Sequence, residues 1–87
     1  ENIYLSEVST IYPNPAFNSV NVLLGGQAND FIISIFSIDG NLIEQFKDQH
    51  LPSNRTFTIP LDYYPKGVYL INVICGDKIE NIKLLKR

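Results

Sequence analysis

Turn signals recur every eight to twelve residues along this 87-residue chain, and that spacing constrains the fold more than any other feature. Regular turns of this kind, separated by short runs rich in Ile, Val, Phe, Tyr and Thr, are typical of a β-sandwich or a barrel. The length fits one compact domain. The turn signals are Asn14-Pro15, Gly25-Gly26, Asp39-Gly40, Pro52-Ser53-Asn54, Pro65-Lys66-Gly67 and Gly76-Asp77.

The runs between the turns predict six or seven strands and no helix. Alternating apolar residues indicate strands with one buried face, and apolar residues on both faces of 31–38 indicate a central strand. Segment 3–8 is a candidate first edge strand, continued or broken near Ile11. The other predicted strands cover 19–24, 31–38, 42–46, 55–61, 68–75 and 78–86.

Two local structures need a choice between readings. Asp39-Gly40 fits a two-residue type I′ turn, in which both residues have positive φ, and so predicts a hairpin. In 78–86, Ile79, Ile82 and Leu85 have helical spacing, whereas Ile82 and Leu84 fit a strand. The short length and the preceding Gly76-Asp77 turn favour the strand.

Composition excludes several classes of protein. The net charge of −2 and the pI near 5.1 speak against a basic nucleic-acid-binding surface. No apolar run approaches the roughly 20 residues that span a bilayer, so we expect no membrane insertion. The chain opens with Glu1 and has no basic region followed by an apolar run, which indicates a domain excised from a longer protein.

Few residues can carry chemistry. The single cysteine, Cys75, excludes an internal disulfide and a multi-cysteine zinc site, and we expect it to be a small buried hydrophobe. The single histidine, His50, lies in a polar loop at 47–54. The aspartates near turns do not follow the spacing of an EF-hand, and Asn54-Arg55-Thr56 matches a glycosylation sequon. We therefore expect no catalysis, no metal and no cofactor.

Three motifs are more specific. Tyr12-Pro13-Asn14-Pro15 forces an extended entry and then a turn, and serves either as a rigid crossing or as an exposed recognition edge. Tyr64-Pro65-Lys66-Gly67-Val68-Tyr69 is similar to the tyrosine corner of immunoglobulin-like sandwiches. Residues 78–87 carry a charge of +3 and leave −5 on the rest, which marks either a protective charged edge or a receptor contact.

The order of these motifs resembles the type A C-terminal sorting domain of the type IX (Por) secretion system. The resemblance covers 11–87 and depends on four elements: Tyr12-Pro13-Asn14-Pro15, Ile33-Ser34-Ile35-Phe36-Ser37-Ile38-Asp39-Gly40, Pro65-Lys66-Gly67-Val68-Tyr69-Leu70-Ile71 and the basic end. Two positions depart from the family pattern, because Ser37 replaces a frequent aspartate and Tyr64 a usual leucine.

The resemblance implies an immunoglobulin-like antiparallel β-sandwich of about seven strands that acts as a non-catalytic address for a covalently attached upstream cargo. It implies transit through the periplasm, export by the type IX translocon to the outer-membrane surface or the medium, and removal by a sortase-like peptidase. It divides the chain into a linker or first edge strand at 1–10 and the sorting domain at 11–87, and we expect a monomer. The positions it marks for recognition are Pro13, Asn14, Pro15, Gly40, Pro65, Gly67, Tyr69, Lys83, Lys86 and Arg87.

Two further hypotheses stay open at this point. A partner strand could add to the unpaired edges of the first and last strands, with Lys86 and Arg87 orienting it. Alternatively, the chain is an immunoglobulin- or fibronectin-like accessory module that binds carbohydrate or spaces domains. A sugar site would use exposed aromatic residues, for which Tyr4, Phe17, Tyr63 and Tyr64 are the candidates, and we expect partial burial of at least one of them.

Overall fold

The computed structural model describes residues 8–26, 28–47 and 51–87, which form seven strands and no helix. No helix in this part of the chain could therefore cross a membrane. Of the predicted first strand at 3–8, all but Val8 lies outside the described residues, and the first observed strand is slightly later. The strands are β1 (Thr10–Tyr12), β2 (Ser19–Leu23), β3 (Phe31–Ser37), β4 (Leu42–Lys47), β5 (Thr56–Pro60), β6 (Gly67–Cys75) and β7 (Lys78–Lys86).

The strands form two antiparallel sheets, which confirms the predicted sandwich. One sheet has the order β1-β2-β5 and the other β4-β3-β6-β7. In the constant-type immunoglobulin sandwich the fourth strand belongs to the sheet of the first strand. Here β4 pairs with β3 instead, so the second sheet has four strands and β3 is a central strand, as its two apolar faces predicted.

The core lies between the sheets and is built from alternate residues of the strands. Val20, Val22 and Ile59 of the three-stranded sheet are fully buried, and they belong to the same apolar cluster as Ile35 and Ile71 of the four-stranded sheet. The period of two places every second side chain on the inner face. The prediction that alternating apolar residues mark the buried face of a strand is therefore confirmed for β2 and β6.

The last segment is a strand. β7 pairs with β6 over its whole length, from Cys75↔Lys78 to Gly67↔Lys86. Leu84 is fully buried, and Ile82 is packed against the core. Gly76 alone has positive φ in the two-residue turn before it, which is the pattern of a type II′ hairpin. The strand interpretation of 78–86 is confirmed.

The hairpin between β3 and β4 exists, but its predicted turn type is wrong. The amide of Gly40 donates to the carbonyl of Ser37 (3.0 Å), and the amide of Ser37 donates to the carbonyl of Asn41 (2.9 Å). Three residues therefore form the loop, and Gly40 has positive φ (90°) while Asp39 does not. This matches a tight turn followed by a glycine bulge. Ile38, predicted to end the strand, is an exposed turn residue.

Candidate functional site

The Tyr12-Pro13-Asn14-Pro15 motif joins the two sheets, because it leads the chain from β1 in one sheet to the edge of β7 in the other. Both the Tyr12–Pro13 and the Asn14–Pro15 peptide bonds are cis. Directly after the motif, Ala16 forms a parallel bridge with Lys86. The motif is thus a crossing between the sheets, in agreement with the rigid, structural interpretation of the two prolines.

Asn14 makes the first contact with β7 through its side chain. Its Nδ2 donates to the carbonyl of Lys83 (2.8 Å), and its Oδ1 accepts from the amide of Leu85 (2.9 Å). The side-chain amide presents one donor and one acceptor in the way that a backbone peptide group does. Asn14 therefore takes the place of one residue of a neighbouring strand.

Ala16 continues this pairing with its backbone. Its amide donates to the carbonyl of Leu85 (2.8 Å), its carbonyl accepts from the amide of Arg87 (2.7 Å), and its side chain is fully buried. Asn14 and Ala16 together occupy the outer edge of β7 from Lys83 to Arg87. The hypothesis that a partner adds a strand at this end of the last strand is therefore wrong, because the chain's own residues already use the hydrogen-bonding groups.

The predicted tyrosine corner is confirmed at the start of β6. The hydroxyl of Tyr69 donates to the carbonyl of Pro65, and the ring is only 6% exposed. The ring of Tyr64 packs edge-on against it, with 5.4 Å between centroids. Tyr64 in turn donates its hydroxyl to the carboxylate of Glu44. Burial, and then this carboxylate, raise the pKa of the Tyr64 phenol well above its usual value.

The register of the four-stranded sheet brings the predicted site residues to one end of the sandwich. Gly67 pairs with Lys86, and Ser37 pairs with Tyr69, so the β3–β4 hairpin, the tyrosine corner and the end of β7 are neighbours. Gly67 has a φ of 149° and Gly40 a φ of 90°, a region that favours glycine. We call this region the motif end. Its predicted residues are Pro13, Asn14, Pro15, Gly40, Pro65, Gly67, Tyr69, Lys83, Lys86 and Arg87.

Solvent reaches most of these residues, because Pro13, Asn14, Gly40 and Pro65 are exposed, Pro15 and Gly67 are half-buried, and Tyr69 is buried. Lys83 and Arg87 are exposed, and Lys86 is half-buried with its Nζ donating to the carbonyl of Arg87 (2.9 Å). Lys66, directly before Gly67, is exposed as well. Within the described ranges no group of three or more His, Cys, Asp or Glu residues could hold a metal ion. The motif end can therefore offer a shaped, positively charged surface to a partner.

Sequence reasoning missed a junction on the other side of the Tyr12–Ala16 crossing. The amide of Ser9 donates to both carboxylate oxygens of Glu80 (2.9 and 3.1 Å), and the Ser9 hydroxyl accepts from the amide of Gly25 (2.9 Å). Ser9 is buried, so these bonds tie the start of the domain to β7 and to the end of β2. No local pattern signals them, because Ser9 and Glu80 are 71 residues apart.

Arg55 is the second residue that sequence reasoning missed. Its guanidinium group donates to the carbonyls of Leu24 (3.3 Å) and Ala28 (2.8 Å) and approaches the Cys75 sulfur (3.6 Å). It has positive φ (59°), a conformation that an arginine in a sequence does not indicate. Arg55 therefore holds the end of the sandwich opposite the motif end. Cys75 is 4% exposed, which confirms its predicted burial.

Among the described residues, the aromatic candidates for a sugar site differ in their exposure to solvent. Tyr63 is 98% exposed, whereas Tyr64 is half-buried against Tyr69, which confirms the expected partial burial of at least one of these rings. Phe17 follows the crossing and is exposed, while Tyr4 and also His50 lie outside the described residues. Nothing in this arrangement favours carbohydrate binding.

Comparison with known proteins identifies a family that covers most of the chain. The family model for the secretion system C-terminal sorting domain matches residues 10–87. No curated protein matches the chain. The matched region begins with β1 and contains all seven strands, so it includes both the Tyr12–Ala16 crossing and the β7 edge that the crossing closes.

Proposed function

We propose that the folded motif end is the surface that the export machinery recognises. The premise is that the chain belongs to the family of secretion system C-terminal sorting domains. As a sorting signal of the type IX secretion system, the domain directs an attached cargo protein to the cell surface or the extracellular space. That role is one of recognition, and it requires a surface and not a reaction centre.

The contact of Asn14 and Ala16 with β7 supports this proposal best. Asn14 and Leu85 are 71 residues apart in sequence, yet a hydrogen bond joins them. The proline motif and the basic end therefore form one surface only in the folded domain. Export machinery that binds this surface recognises the folded domain and does not recognise the same residues in an unfolded chain.

In the finer picture that we propose, the domain folds in the periplasm and presents the motif end to the outer-membrane translocon. Lys83, Lys86 and Arg87 orient the encounter and raise its rate, since charges at the rim of an interface act more on association than on final affinity. A sortase-like peptidase then separates cargo from signal. Pro13, Pro15, Gly40, Pro65, Gly67 and Tyr69 act in this scheme by holding the shape of the surface.

An export assay tests this function. Residues 1–87 are fused to the C-terminus of a fluorescent reporter that carries a signal peptide, in a host with the secretion system. Reporter in the medium or on the surface, lost when the system is deleted, is the expected result. Reporter that remains in the periplasm with the domain folded would refute the proposal.

The role of the cations is tested with charge substitutions and not with truncation. Leu84 is fully buried, so deletion of 84–87 removes a core side chain together with the cations and should destabilise the domain. The single variants Lys86→Gln and Arg87→Gln leave the core intact, and we expect slower export from each. The matched control is Lys78→Gln, which removes the same charge at the opposite end of β7. Export of both single variants at the rate of the control would show that Lys86 and Arg87 are not recognised.

A further inference from the structure

The outer face of the four-stranded sheet is largely apolar, although it is turned away from the core. Because β6 buries Tyr69, Ile71 and Val73, its alternate residues point outward, and pairing identifies their neighbours on the other strands. One cross-strand row contains Leu42, Phe36 and Leu70, a second contains Ile32, Ile74 and Ile79, and Val68 with Leu85 extends the first. We call this surface the apolar face.

Solvent reaches the apolar face to an unusual extent. Leu42 is 53% exposed, Leu70 42% and Ile79 68%. The outer face of the three-stranded sheet is mostly polar by contrast, with Thr10, Ser19, Asn21, Thr56 and Thr58 at outward positions beside Tyr12, Leu23 and Pro60. A sheet of this fold therefore does not need a largely apolar outer face, and the apolar residues on the other sheet require a different explanation.

A polar row crosses the middle of the apolar face. Gln45 Nε2 donates to the Ser34 hydroxyl (3.0 Å), and Asn72 Nδ2 donates to Asn81 Oδ1 (3.1 Å). Each amide has further hydrogen-bonding capacity beyond these bonds. Lipid acyl chains in contact with this row would leave these amide groups without hydrogen-bond partners, which is unfavourable in free energy. A protein surface can supply such partners. The row therefore favours a protein and disfavours a lipid surface.

The charges of the apolar face have one sign. At the outward positions of β3, β4, β6 and β7 the charged residues are Lys47 and Lys83, and no carboxylate occurs there. The rest of the chain is acidic, with a total net charge of −2. A second copy of the domain would present the same two lysines at these positions. A partner with acidic residues around an apolar centre complements both properties.

From this arrangement we propose that the apolar face docks onto a protein component of the export machinery whose contact surface is apolar at its centre and acidic at its rim. This inference rests on the proposed function and adds a second surface beside the motif end. Four strands about 4.8 Å apart and about 20 Å long cover roughly 400 Å² in projection. That is about half of the 800 Å² that each partner buries in a standard interface. The contact is therefore a transient one, as release of the cargo requires.

The test introduces a charge into the apolar face and measures export of the reporter fusion. Leu70→Glu and Ile79→Glu are the test variants, and Ile79 is exposed enough to tolerate the change. The matched control is Thr58→Glu on the outer face of the other sheet, and thermal unfolding verifies that all three variants fold. We expect roughly tenfold less export for the test variants, as for central residues of an interface, and near-normal export for the control.

A photo-crosslinking residue at position 70, compared with one at 58, identifies the occupant in the otherwise unchanged domain. A crosslinked product at 70 alone, lost when the secretion genes are deleted, is expected. Normal export of both test variants, with export of the unsubstituted fusion intact, would overturn the docking surface and leave the proposed function standing. Failure of the unsubstituted fusion to be exported would overturn both.

Two solution measurements test the other possible occupants of the apolar face, a second copy of the domain and a membrane. Analytical ultracentrifugation of the 87-residue chain should give a monomer, and cosedimentation with vesicles of anionic phospholipid should give no binding. A dimer that Ile79→Glu dissociates would assign the apolar face to self-association, and vesicle binding that Ile79→Glu abolishes would assign it to a membrane. Either result would overturn the proposal.

Discussion

Replacing Asn14 by alanine should loosen the closure of the β7 edge by a measurable amount. The substitution removes two hydrogen bonds, of 2.8 Å to the Lys83 carbonyl and 2.9 Å from the Leu85 amide. Each such bond contributes about 0.5–1.5 kcal/mol net, and water can replace part of it at this exposed position. We expect a loss of about 1.5 kcal/mol in the free energy of unfolding. For a domain of this size that lowers Tm by roughly 6–12 °C.

Urea denaturation and thermal unfolding measure this loss, and amide hydrogen exchange locates it. The matched control is Asn18→Ala, which removes an exposed asparagine from the same connection without removing a described side-chain hydrogen bond. The Leu85 amide should lose protection in Asn14→Ala and keep it in Asn18→Ala. Equal stability of the two variants, within about 0.3 kcal/mol, or unchanged protection of Leu85, would refute the role assigned to Asn14.

Two further predictions concern the tyrosine corner. Tyr69→Phe removes the hydrogen bond from the buried hydroxyl to the Pro65 carbonyl. Urea denaturation should show that the free energy of unfolding falls by about 1–2 kcal/mol. A change near zero would show that this bond does not stabilise the corner. Because the pKa of Tyr64 is raised on folding, the folded state holds its proton above pH 10 while the unfolded state loses it, so stability should fall as the pH rises past 10. Tyr64→Phe should show a shallower fall over the same pH range, and identical slopes would contradict the assignment.

The strands and the tyrosine corner were predictable because the signals for them are local. Alternation of apolar residues identified the inward faces of β2 and β6, and the Pro-Lys-Gly sequence before Tyr69 identified the corner. The Asp39-Gly40 turn was predicted wrongly because such a pair fits both a two-residue and a three-residue hairpin loop. The choice between them depends on the register, which here pairs Ser37 with Asn41.

The use of the strand edges could not be predicted in the same way. The two prolines of the crossing predicted a rigid segment, but no nearby residue in the sequence indicates that this segment contacts β7. The prediction that the first and last strands have free edges was wrong for the end of β7, because Asn14 and Ala16 occupy that edge. Arg55 and the Ser9–Glu80 contact were missed for the same reason.

The sequence by itself determined the all-β class, the strand positions, the tyrosine corner and the family motifs, because each depends on residues within one strand or turn. Only the tertiary structure decided that the proline motif lies on β7, that the marked residues share one end, and that one sheet keeps an apolar outer face. These facts depend on pairing between segments up to 71 residues apart. Such pairing follows from the packing of the whole core, which no local pattern encodes.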